Sequence, residues 1–186
     1  MDEMPGWKTP VLGQDTNPEG WVDNPRRIDI RHNLNAMREH IGKDDSILDV
    51  GCYAGYLNDY FGRERYTGID LFPEHIELAQ KLHPGQEHKY RVGDLFELQD
   101  RANVVICSRV LIHIPYFEKA VERLIKCTER LLICVLKITP EPGIERHEKN
   151  GQMFYQRSFS QQMVDAAFGK CKVSHHRKYS NVYKWV

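Results

Sequence analysis

The stretch Ser46-Ile47-Leu48-Asp49-Val50-Gly51-Cys52-Tyr53-Ala54-Gly55 decides the fold. It opens as a short apolar run interrupted only by Asp49, and two glycines follow. The pattern reads as a buried strand running into a glycine turn. Glycine takes up turn conformations easily, and it lets a ligand approach the backbone where a Cβ would collide. A helix over Tyr56 to Phe61, stopped by Gly62, completes a strand–turn–helix unit.

The same rhythm continues downstream. Tyr66 to Asp70 reads as a second strand, and Pro73 opens a helix over Glu74 to Leu82 that His83-Pro84-Gly85 ends. His88 to Val92 is a third strand, followed by Gly93-Asp94. Ala102 to Cys107 is a fourth, and Pro115 opens a helix to about Cys127. Arg130 to Ile138 is a fifth strand, apolar along its length as a strand covered on both faces should be. Strands alternating with helices imply a parallel sheet with helices on both sides. Residues 139 to 153 read as a polar loop, and Phe154 to Arg157 as a strand-like lead into a helix that Ser158 or Ser160 caps and that ends near Gly169. Lys172 to Tyr179 and Val182 to Val186 then read as strands joined by Ser180-Asn181, too short a link for a parallel crossover. The fold class is therefore α/β: a Rossmann-like, doubly wound, mostly parallel sheet of seven strands with an antiparallel C-terminal hairpin. Residues 1 to 42 read as an N-terminal arm and helix, with Trp7 and Trp21 placed to form a lid or a clasp. Residues 43 to 186 form the core.

Composition narrows the function. At 186 residues, 41% hydrophobic and 28% charged, the chain suits one domain with its own core. Basic and acidic residues balance at 26 each, which argues against nucleic acid or anionic lipid as a partner. No apolar run approaches the roughly 18 to 20 residues that span a bilayer, so no membrane partner is expected. The start, MDEMPGWKTP, lacks the cationic flank and apolar stretch of a secretory signal. The five cysteines are odd in number and form no CxxC pair, which fits buried thiols in a reducing, cytoplasmic setting. No Cys/His spacing suggests zinc, and adjacent His175 and His176 would face opposite sides of a strand, so no metal is expected.

Two acids give the glycine turn its chemistry. Asp49 lies at the end of the first strand, just before the turn, and would repel a pyrophosphate but suit an ammonium group. Asp70 ends the second strand, 19 residues beyond Gly51, where a carboxylate can accept from both hydroxyls of a ribose. The Gly51-x-x-x-Gly55 spacing also departs from the GxGxxG of nicotinamide enzymes.

Together these stretches resemble the class I S-adenosylmethionine-dependent methyltransferases. Ile47 to Gly55 resembles the first motif, Tyr66 to Asp70 the second strand with its ribose-binding acid, Val92-Gly93-Asp94-Leu95 the adenine turn, and Ala102 to Pro115 the fourth-strand motif. The resemblance covers about residues 40 to 186 and implies a transferase with S-adenosyl-L-methionine as cofactor. It implies that Gly51, Cys52 and Gly55 let the backbone approach the methionine part, with Asp49 near its amino group. Asp70 would bind the ribose hydroxyls and Leu71 would pack on the adenine. Asp94 would accept from the adenine amine, with Leu95 on the ring, and Ser108 and Arg109 would line the mouth. Arg109 could hold an anionic acceptor group, Tyr155 lies where the family builds substrate contacts, and His113 is a candidate catalytic base. Where the family often has glycine this chain has Tyr53, whose ring could narrow the methionine end. Where many members have Asp it has Asn103. The acceptor implied is a small molecule methylated at oxygen or nitrogen. No Asn-Pro-Pro-Tyr type signature and no Pro-Cys pair of the DNA enzymes is present. The alternatives are a methyltransferase-like partner subunit without catalysis, and a tRNA or protein target.

Overall fold

Four short, almost wholly apolar runs carry the centre of the sheet: β1 (Ile47–Val50), β2 (Tyr66–Asp70), β4 (Ala102–Ser108) and β5 (Thr128–Leu136). In the computed structural model, which describes residues 35, 37–61, 64–149, 152–169, 173–177 and 180–185, they join β3 (Tyr90–Val92) as five parallel strands. An antiparallel hairpin, β8 (Val173–Arg177) and β9 (Ser180–Trp185), adds to β5 through β9. The strand order is β3-β2-β1-β4-β5-β9-β8.

Residues alternate between the two faces of the sheet, and each face has its own core. Leu48, Val50, Val105, Cys107, Leu132 and Cys134 pack with helices α3 (Phe117–Cys127) and α4 (Gln161–Phe168). Ile47, Val104, Ile106, Leu131 and Ile133 pack on the other face with α2 (Pro73–Leu82), with Leu57 and Phe61 of α1 (Tyr56–Phe61), and with Met37. Apolar burial on both faces is why these strands show no polar alternation. The order reverses between β1 and β4, and the carboxyl ends of these strands lead into the turns at Gly51 and Arg109. In an open α/β sheet that edge is where a ligand crevice forms.

Three expectations are corrected. Residues 139 to 153 are not simply a polar loop. Ile144–Lys149 (β6) and Gln152–Arg157 (β7) form a separate antiparallel ribbon, in register from Ile144 opposite Arg157 to Lys149 opposite Gln152. β6 is polar but for Ile144, and β7 has its apolar residues, Met153, Phe154 and Tyr155, in one run, so neither shows the apolar alternation that marks a half-buried strand. Ser180 and Asn181, read as the final connection, lie in β9 and pair with Arg177 and His176. Helix α3 starts at Phe117 rather than Pro115: Tyr116 is its N-cap, with its carbonyl accepting from the Ala120 N–H at 3.0 Å, while the Pro115 carbonyl accepts from Arg157 Nη1 at 3.3 Å. Of the two cap candidates Ser160 caps α4, accepting from the Met163 N–H at 3.2 Å, while buried Ser158 accepts from the Gly143 N–H at 3.0 Å.

Asn103 is structural. Its Oδ1 lies 3.1 Å from both the backbone N–H and the hydroxyl of Ser46, and its Nδ2 donates to Glu129 Oε2 at 3.2 Å. It therefore ties β4 to the residue that precedes β1 and to β5, at the end of the sheet opposite the glycine turn. An aspartate there could not donate to Glu129. Of the N-terminal arm and helix, the arm with Trp7 and Trp21 lies outside the described residues. Among the described residues no helix is long and apolar enough to cross a membrane, and no group of three or more His, Cys, Asp or Glu is arranged to hold a metal.

Candidate active site

The tips of β1 and β2 bring two carboxylates to the start of the glycine turn. Asp49 is 2% exposed, and its Oδ2 accepts from the Tyr66 hydroxyl at 2.5 Å. Burial lifts its carboxyl to about 7; the Tyr66 hydrogen bond opposes that rise and the charge of Asp70 adds to it. Burial likewise pushes the Tyr66 phenol well above its ordinary value, so Tyr66 stays a donor. Among the described residues Asp49 has no ion-pair partner. A buried carboxylate poised near neutrality is stabilised by any cation placed beside it.

Asp70 is held by three nitrogens. Its Oδ2 accepts from the Tyr53 N–H at 2.9 Å, and its Oδ1 accepts from the Phe72 N–H at 3.1 Å and meets His75 Nδ1 at 3.0 Å. Tyr53 turns its N–H to the acid from a left-handed backbone, φ 50, which is uncommon outside glycine. Its ring does not stand alone over the turn: it meets His75 edge-on with centroids 4.6 Å apart.

The glycines are required where they stand. A Cβ on Gly51, φ +78, would sit 2.1 Å from Val110 Cγ2. The turn after β1 thus touches the turn after β4 across the switch point. A Cβ on Gly55, φ +76, would sit 2.6 Å from the Tyr90 ring. That ring is fixed in turn, since Asn58 Nδ2 of α1 donates to Tyr90 Oη at 2.7 Å and to Gln86 Oε1 at 3.0 Å. Cys52 between the glycines is buried, and burial followed by the charges of Asp49 and Asp70 pushes its thiol well up, so it is no nucleophile.

The other sequence candidates spread around the same edge of the sheet. Leu71, half-buried, follows β2 directly. Asp94 lies two residues past β3, and its Oδ1 accepts from the Phe96 N–H at 2.9 Å, capping a short 3-10 turn. Leu95 in that turn is buried in the core layer of α3. Ser108 ends β4 half-buried, and exposed Arg109 follows with φ 61.

The ribbon reaches this edge from the other side. His113 Nδ1 lies 3.0 Å from the Tyr155 carbonyl, which can only accept, so Nδ1 carries the proton and Nε2 keeps a lone pair. Burial holds the imidazole below its ordinary value; the bond to Tyr155 opposes that, and His147 adds to it. The His113 ring lies 6.1 Å from that of Phe154, on which His147 stacks at 5.3 Å and 21°. Tyr155 thus meets His113 through its main chain rather than its ring.

Tyr66, His75, Val110 and His147 escaped the sequence reading. Tyr66 meets Asp49 only because β1 and β2 pair with Ile47 opposite Tyr66, a register the sequence does not state. His75 had a usable signal: five residues past Asp70, it falls in the first turn of α2, which folds back over the acid.

This donor set suits a sulfonium nucleoside with an amino-acid tail. A buried acid lacks a cation, a second acid stands at the neighbouring tip, and between them runs a turn whose bare Cα atoms leave no room for side chains.

A family model described as a methyltransferase domain matches residues 23–167. A ubiquinone biosynthesis O-methyltransferase of Erwinia tasmaniensis is 34% identical over 101 residues, which are 50% of this chain and 40% of that protein. A second such enzyme, from Serratia proteamaculans, is 30% identical over 51% of this chain and 46% of its own length. The chain thus matches less than half the length of these curated relatives. The solved PH0226 protein of Pyrococcus horikoshii OT3 has a similar fold, with a TM-score of 0.70 at 14% identity over 91% of this chain and 92% of that one. So does the magnesium protoporphyrin IX methyltransferase of Synechocystis PCC 6803 with bound SAM, with a TM-score of 0.66 at 19% identity over 88% and 82%. The chain belongs to the methyltransferase domain family and has the fold of the class I S-adenosylmethionine-dependent methyltransferases.

Proposed function

We propose that this protein binds S-adenosyl-L-methionine and transfers its methyl group to a small acceptor, at oxygen or nitrogen. The observation that carries the reading is Asp49, buried with no cation beside it among the described residues, next to Asp70 at the mouth of the glycine turn. The names of the relatives, a ubiquinone biosynthesis O-methyltransferase and a magnesium protoporphyrin IX methyltransferase, support a small-molecule acceptor.

When bound, the cofactor supplies an electrophilic methyl carbon. Asp49 takes the amino group, and ionises as it does so. Asp70 accepts from the ribose hydroxyls. Gly51, Cys52 and Gly55 present backbone to the methionine part. Leu71 and Leu95 provide an apolar edge for the adenine, and Asp94 accepts from its amine. Ser108 and Arg109 line the mouth, where Arg109 meets an anionic group of the acceptor. His113 receives the acceptor proton at Nε2, and its Nδ1–H stays on the Tyr155 carbonyl. The ribbon at Tyr155 closes the acceptor side and excludes water. Holding the acceptor in line is the main work asked of the protein.

Calorimetric titration with S-adenosylhomocysteine, followed by labelled methyl transfer into a panel of phenols, carboxylic acids and amines, tests the reading. Micromolar binding and one labelled class are expected. No binding at about millimolar ligand would overturn the reading. Binding with no labelled acceptor in the panel or in a metabolite extract would favour the partner-subunit alternative.

A further inference from the structure

Asp70 is oriented by more than backbone. Two of its donors, the Tyr53 and Phe72 N–H groups, are fixed by the chain, while the third, His75 Nδ1, belongs to a side chain that is itself only 9% exposed. Because a carboxylate only accepts, Nδ1 carries the proton. The imidazole has no freedom to turn: Tyr53 meets it edge-on at 4.6 Å and 74°, and Phe72 at 5.1 Å and 76°. Its far nitrogen, Nε2, is buried and has no hydrogen-bond partner among the described residues. A buried imidazole with one nitrogen unsatisfied is costly, so the position is explained by the nitrogen that is in use.

We propose that His75 is a positioning residue for the ribose acid: its Nδ1–H, held by the Tyr53 and Phe72 rings, fills Oδ1 together with the Phe72 N–H and so locks the Asp70 carboxylate with Oδ2, which has a single donor, as the oxygen left to accept from the ribose diol. The inference rests on the cofactor reading above and adds to it the residue that sets how tightly the diol is held. A hydrogen bond to a charged group is the stronger kind, so its loss shows in affinity. It also accounts for Tyr53, whose N–H reaches one carboxylate oxygen while its ring confines the imidazole that reaches the other.

The test is S-adenosylhomocysteine affinity by calorimetry for the full chain and for His75→Leu, His75→Asn and His75→Gln, with thermal melts to check folding. His75→Leu should weaken binding by about tenfold or more. His75→Asn places an amide nitrogen where Nδ1 stands and should return affinity to within about threefold of the starting protein, whereas His75→Gln should not. In an Asp70→Asn background the His75→Leu loss should disappear, because the two act as one unit. Equal affinity for His75→Leu overturns the proposal. So does rescue by Gln but not Asn, which would make Nε2 the working atom, or an undiminished loss in the Asp70→Asn background. Should the Leu variant fail to fold, imidazole nitrogen shifts in the unaltered protein decide: the Nδ1–H tautomer supports the proposal and the Nε2–H tautomer overturns it. If the unaltered protein itself fails to bind, the cofactor reading falls. If it binds and the His75 variants bind equally, only this inference falls.

Discussion

Replacing Asp49 by asparagine should make the protein more stable and a poorer binder, and the two effects share one cause. Burial lifts the Asp49 carboxyl from the ordinary 3.8 to about 7. The folded chain therefore holds this proton more tightly than the unfolded chain. Between those two values the folded state binds more protons, so stability falls as pH rises through the window and levels off above about 7. At ~1.4 kcal/mol per pH unit the full penalty is on the order of 4 kcal/mol. Roughly 2–3 kcal/mol of it accrues between about pH 5 and about pH 8. Asparagine is neutral throughout, and its amide oxygen can still accept from Tyr66. The stability difference, Asp49→Asn minus the unaltered protein, should therefore grow by about 2–3 kcal/mol from about pH 5 to about pH 8 in urea denaturation. Calorimetry should show S-adenosylhomocysteine binding weakened by about tenfold or more at about pH 8, since the ammonium loses its counter-charge. The unaltered protein's affinity should rise with pH as Asp49 gives up its proton, and the variant should lack that rise. A stability difference that stays flat across this range would refute the buried, cation-seeking carboxylate. So would equal binding by the variant.

Gly51→Ala should cost at least ~2 kcal/mol in urea denaturation, from its left-handed backbone and the clash with Val110, and Val110→Ala added to it should restore part of the loss. His113→Gln should lower turnover by about a hundredfold or more while leaving S-adenosylhomocysteine affinity within about twofold. In the unaltered protein with the cofactor saturating, so that Asp49 is already ionised, the acid limb of kcat/KM for the acceptor should lie below 6.5, because burial holds His113 neutral to lower pH. Asn103→Asp should destabilise by roughly 1 kcal/mol in denaturant, since it removes the donor to the partly exposed Glu129 and sets a like charge beside it. In the folded protein Cys52 should resist alkylation as mapped by peptide mass spectrometry, and labelling at the rate of a free thiol would contradict its burial.

The elements that could be read from sequence are those whose local chemistry is self-sufficient. The helix over Tyr56–Phe61 and the strand over Tyr66–Asp70 have the predicted bounds: the helix follows directly on the glycine turn, and a run of largely buried residues defines the strand. Of the ribbon, β7 showed in the sequence as the strand-like stretch over Phe154 to Arg157, whereas β6 and the pairing went unseen because β6 is polar but for Ile144 and the bonds of Arg157 to Pro115 and His113 to Tyr155 are tertiary. The same division runs through the site. Asp49, Gly51, Gly55 and Asp70 are legible because glycine spacing and strand ends place them. Tyr66, His75 and Val110 depend on strand register and on how α2 and the turn after β4 fold back, which no local pattern encodes. Asn103 shows the reverse: it drew notice by differing from a family pattern, and its hydrogen bonds to Ser46 and Glu129 make it a brace.

A crystal structure of the full chain with S-adenosylhomocysteine tests the central claim most directly. The expected result has the ligand across the Gly51–Gly55 turn, its ribose hydroxyls on the Asp70 carboxylate, and its ammonium facing Asp49 directly or through one water. A ligand seated elsewhere, or either acid turned away from it, would contradict the claim.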